Sequence, residues 1–219
     1  MKLKKIASLM LAGVMAVSML AGCSGKSTPN DGDKEPTNPV VIGAADAMNA
    51  VQSVVNFKDS DTLNKYLTDA VKKATYDQLN DAKFNTSISP AATSDKVYNQ
   101  LNNKIMPTEY SLKNTISAFT PKAGESSKIS YLYLVDDVVS EDAALNVIAK
   151  NLTGDASKYP AMVLVNSNKG NKATYDGEVS IVKVSKSNEG NEKTASAYYV
   201  LVTVTQSVAK DASNTADKI

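Results

Sequence analysis

The hydrophobic period of this chain changes near residue 125, and that change constrains its fold more than any other feature. Before it, apolar residues recur at helical spacing. Val41, Ala45, Met48, Val51 and Val55 predict a helix from about Ile42 to Phe57. Asp59-Ser60-Asp61 offers capping oxygens for a second helix, whose apolar face is Leu63, Tyr66, Leu67, Ala70, Val71 and Ala74, with Leu79 further on. A loop with Pro90 spans Asn85 to Thr93, and a shorter helix over Asp95 to Ile105 is stopped by Pro107. Tyr110 to Phe119 fits a strand or a helix. After residue 125 the apolar residues alternate. Ile129 to Val135 reads as a strand, followed by a helix opened by Ser140-Glu141-Asp142 and ended by Gly154. Strands are expected at Ala161–Val165, Gly177–Val184 and Ala195–Val208, with hairpin loops over Asn166–Lys172 and Ser185–Lys193.

The order is therefore N-terminal helices, then a β-α-β-β-β segment. It predicts an α+β fold: a mostly antiparallel sheet with helices packed on one face. The β-α-β crossover at 129–165 can supply one parallel pair. The last strand is apolar on both faces, with Tyr198, Val200, Val202 and Val204 on one and Tyr199 and Leu201 on the other. It is expected between neighbours, covered at least partly on both sides, with Thr203 and Thr205 turning toward solvent. The folded part, residues 40–208, is long enough for one domain with a real core.

Composition narrows the chemistry. The chain has 24 basic residues, all Lys, against 23 acidic ones, with no His, no Trp and one Cys. Without His there is no Ser-His or Cys-His machinery and no imidazole metal site. Without Arg there is no bidentate fork for phosphate or guanine. No cofactor and no nucleic-acid partner is expected, and calcium held by carboxylates is the only plausible metal.

Lys2, Lys4 and Lys5 precede an uncharged apolar run from Ile6 to Leu20, about 15 residues and short of the ~20 a spanning helix needs. The run closes on Leu20-Ala21-Gly22-Cys23. This segment resembles the lipobox signal peptide of bacterial lipoproteins. The resemblance covers Met1 to about Ser27. It implies removal of residues 1–22, lipid attachment on Cys23 and anchorage to the outer face of a bacterial cell membrane. Cleavage removes three Lys and no acid, leaving 21 Lys against 23 acids and a mature net charge of about −2. With no polybasic segment to help, two acyl chains are needed for firm anchorage. Residues 24–39 carry polar residues, charges and three Pro, and read as a disordered tether spanning on the order of 20–25 Å; it resembles the tethers of Gram-positive surface lipoproteins. Residues 209–219 read as a C-terminal tail.

Within the domain, Asp136 and Asp137 sit between a strand and a helix, where carboxylates bind cations or act as acid and base. Tyr131 and Tyr133 share one strand face and Tyr198 lies on the last strand, where aromatic rings can stack on sugars or pack across strands. Ser180-Ile-Val-Lys183 has Ser-x-x-Lys spacing but lies on a strand without the partner motifs of serine enzymes. For the domain as a whole the expected role is a non-catalytic binding or interaction module for an envelope glycan, a small ligand or a membrane-protein partner. The competing class is a carboxylate-based hydrolase such as a glycosidase, whose chemistry needs neither His nor Arg.

Overall fold

A computed structural model describes residues 43–120, 124–166, 169–188 and 193–209. The signal segment, Cys23, the tether and residues 210–219 lie outside the described residues. The chain opens with α1 (Ala44–Asn49), β1 (Asn56–Asp59), α2 (Asp61–Ala70), α3 (Tyr76–Asn80) and α4 (Lys96–Gln100), which runs on as a π-helical turn, Leu101–Ile105. It continues through β2 (Leu112–Lys113), β3 (Ser126–Asp136), α5 (Glu141–Thr153), β4 (Met162–Asn166), β5 (Lys169–Ser187) and β6 (Thr194–Val208). No helix among the described residues is long and apolar enough to cross a membrane.

The strands form one mixed sheet in the order β1-β5-β6-β3-β2, with β4 also pairing β5. The β3-α5-β4-β5-β6 order matches the expectation from sequence; the rest of the topology corrects it. The sheet is not mostly antiparallel, because β1 joins β5 and β2 joins β3 in parallel register. The crossover through α5 makes no parallel pair, since β4 turns back antiparallel on β5. Strand residues 169–172 occupy most of what the composition marked as a hairpin loop.

Helices cover both faces of the sheet, not one. On the first face, Tyr131, Tyr133, Val135, Val200, Val202 and Val204 pack with α1 and α5 through Met48, Leu145, Ile148 and Leu152. On the second, Leu132, Tyr199 and Leu201 pack with α2, α3 and α4 through Leu63, Leu67, Leu79 and Val97. A central strand with apolar residues on both sides requires this arrangement, and β6, between β5 and β3, is that strand. Thr203 is buried rather than turned to solvent. Its register partner is Ser130, and their hydroxyls lie 2.8 Å apart, so each satisfies the other inside the second layer.

Side-chain oxygens cap α2, α4 and α5. Ser60 accepts from the Leu63 N–H, Asp95 from those of Val97 and Tyr98, and Ser140 from that of Ala143. The first helix, however, stops at Asn49 instead of running to Phe57. Asn49 explains this: its Nδ2 donates to the Phe57 carbonyl and its Oδ1 accepts the Phe57 N–H, both at 2.9 Å. Gln52 accepts the N–H groups of Val54 and Val55 and donates to the Val55 carbonyl, so two side-chain amides replace the helical bonds of this segment.

Candidate functional site

Asp137 follows β3 directly, and the register across β3, β6 and β5 brings partners to it from distant sequence. Its Oδ2 accepts from Ser196 Oγ at 2.5 Å and from Lys183 Nζ at 2.9 Å. Burial opposes ionisation of this carboxyl, but the Ser196 hydroxyl and the Lys183 ammonium together hold it below the usual range. Asp137 in turn keeps the Lys183 amine charged to higher pH than usual. Glu141, in the first turn of α5, shifts the other way: burial, then neighbouring Asp142, raises its pKa against the pull of Lys183. Asp136 stands apart, accepting the Val138 N–H at 3.1 Å in a turn. The two adjacent carboxylates thus accept from different partners.

The three tyrosines expected to bind are core residues. Tyr131 and Tyr133 have no exposed surface and Tyr198 has 6%. Sugar stacking is therefore closed to Tyr131 and Tyr133. Tyr131 uses its hydroxyl on the Ser117 backbone, accepting the N–H at 3.2 Å. The Tyr133 hydroxyl has no partner among the described residues, and burial pushes its pKa well up. Lys183 Nζ stands 5.6 Å from the centre of the Tyr198 ring, joining that ring to the Asp137 cluster. Ser180 donates to Asn64 from the face of β5 opposite Lys183, so the Ser-x-x-Lys spacing builds nothing.

A second candidate lies elsewhere, on the edge of β5. One edge of β5 pairs with β4 over residues 169–172 and with β1 over residues 176–179, and Ala173 donates its N–H to the Ala161 carbonyl. Thr174 and Tyr175, between them, have no strand partner on that edge among the described residues. At this notch is an open cleft of about 740 Å³, lined by Asn49 to Asn56 with gaps, by Tyr159 and Ala161, and by Ala173 to Asp176. That volume is in the range of small-molecule sites.

The floor of the cleft is aromatic and apolar. The Tyr159 and Tyr175 rings meet edge-on at 5.1 Å, and Phe119 packs against both. Tyr175 is locked by its hydroxyl, which donates to the Pro160 carbonyl and accepts from Gln206. The Tyr159 hydroxyl is buried without a partner among the described residues. The lip is polar: Ser53, Asn56, Thr174 and Asp176 are all exposed. No described residue hydrogen-bonds their side chains. No motif marked this site, because it arises where two short strands stop along a third. Among the described residues, no group of three or more His, Cys, Asp or Glu side chains is placed to hold a metal ion. No protein-family model matches the sequence, and no curated protein or solved structure matches it.

Proposed function

We propose that this is a lipid-anchored protein on the outer face of a bacterial cell membrane, on a Gram-positive surface, whose folded domain is a non-catalytic binding module. The Leu20-Ala21-Gly22-Cys23 segment supports the anchor. The observation that carries the binding role is the cleft at the β5 notch, a concavity held open before any ligand arrives. Asn49 and Gln52 fix its wall through five hydrogen bonds to Phe57, Val54 and Val55. A wall already ordered loses little conformational entropy on binding.

Two measurements test this reading. Cys23→Ala should release the protein from the membrane fraction or leave an unprocessed precursor. The soluble domain should bind isolated envelope material, and Thr174→Trp, which fills the notch, should abolish that binding without lowering the melting temperature. Unchanged binding by this variant overturns the assignment of the cleft.

One observation favours the hydrolase as a second reading. Asp137 and Glu141 have pKa values pushed in opposite directions around Lys183, the pattern that separates a base from an acid. That cluster lies seven residues along β5 from Asp176, about 23 Å away. Release of reducing ends from envelope glycans that disappears in Glu141→Gln supports this reading over the first.

A further inference from the structure

We infer that the cleft takes an uncharged, hydroxyl-rich ligand, a short neutral oligosaccharide; this rests on the cleft being the binding site. The first ground is the lip. Asn56 presents an amide, Ser53 and Thr174 hydroxyls, and Asp176 a carboxylate, each without a side-chain partner among the described residues. Asn56 and Asp176 are register partners across β1 and β5, so amide and carboxylate stand side by side. Together they offer two donors and several acceptor sites to one group. Neighbouring sugar hydroxyls, each both donor and acceptor, match that set.

The second ground is charge. The chain carries 24 Lys, yet none is among the cleft's lining residues, whereas Asp176 is. A phosphate or carboxylate ligand would meet that carboxylate with no counter-charge within the lining. A hydroxyl meets it as a hydrogen-bond donor, and bonds to an ionised acceptor are the stronger kind.

The third ground is the floor. Val54 and Ala161, both exposed, with the narrow accessible edges of Ala173, Tyr159 and Tyr175, supply an apolar surface for the C–H side of a sugar ring. An extended peptide is the other occupant a sheet edge invites. Here only Thr174 and Tyr175 lie between the paired segments, roughly 7 Å of edge. Strands ordinarily run about five or six residues, so the notch is too short for strand addition.

The test is calorimetric titration of the soluble domain with three defined probes: a neutral N-acetylhexosamine trimer, a glycerol-phosphate oligomer and an extended neutral peptide. The trimer should bind, and Asp176→Asn and Asn56→Ala should each weaken it roughly tenfold or more. Lys72→Met, on the exposed turn after α2 and outside the cleft's lining, should leave its affinity unchanged. Binding of the phosphate oligomer or the peptide instead, lost in Thr174→Trp, overturns the saccharide inference while leaving the cleft as the site. Failure of all three probes while Thr174→Trp still abolishes envelope binding also overturns it. Trimer binding unaffected by Thr174→Trp overturns both the inference and the assignment of the cleft.

Discussion

Asp137 and Lys183 form an ion pair at 2.9 Å whose side chains are 21% and 40% exposed, so solvent screens much of its attraction. Asp137→Asn should therefore cost only about 0.5–1 kcal/mol at pH 7. Because the folded-state pKa of Asp137 is depressed, its contribution is present above the unfolded value of about 3.9 and is lost as pH falls through the lower folded value. Glu141 works in the opposite direction: its raised pKa adds stability below about 4.3, lost as pH rises through the folded value. Urea titrations at several pH values should thus show the gap between Asp137→Asn and wild type closing as pH falls through the depressed folded-state value. A gap that persists there means the substitution acts through packing. The sequence marked Asp137 by its place between strand and helix. It could not mark Lys183 and Ser196, which reach that carboxylate only through the pairing of β5 and β6.

Among the elements, β1 shows how a four-residue strand is specified. Phe57 pairs with Gly177, and a Cβ at Gly177 would collide with the Phe57 ring and crowd Val55. Glycine is required here by close approach, not by an unusual backbone angle. Gly177→Ala should destabilise by about 1–3 kcal/mol, the cost of overpacking. Chemical denaturation of the double variant Gly177→Ala/Phe57→Ala should show less than the sum of the single costs, since removing the ring makes room for the methyl. Strict additivity would place the cause elsewhere. The long periodic elements were legible: α2, α5, β3 and β6 present the apolar faces that their spacing predicts. Two short strands were not. β2 has two residues, all that becomes strand in the ambiguous 110–119 segment, and β1 hid inside a helical pattern that Asn49 and Gln52 break. Alternation cannot show in so few residues, and both parallel pairings depend on them.

At the scale of the whole molecule, β6 gives one strand to two cores. The apolar residues on both its faces already implied cover on both sides; which helices supply it depends on crossings that local periodicity does not encode. The cleft was less legible still, because it requires the ends of β4 and β1 to be placed along β5. The double-sided sheet should make folding cooperative across layers packed on its opposite faces. Leu67 on α2 and Ile148 on α5 are fully buried on opposite sides. Leu67→Ala and Ile148→Ala should each cost about 2–5 kcal/mol, a large part of a total of about 5–15. Because Leu201 and Val202 fix each layer to the same strand, losing one layer exposes the backbone and side chains that support the other. Each variant should therefore melt in a single transition, at the same temperature by far-ultraviolet dichroism and by tyrosine absorption. Two separated transitions in either variant would show that the helical layers unfold independently and that β6 does not couple them.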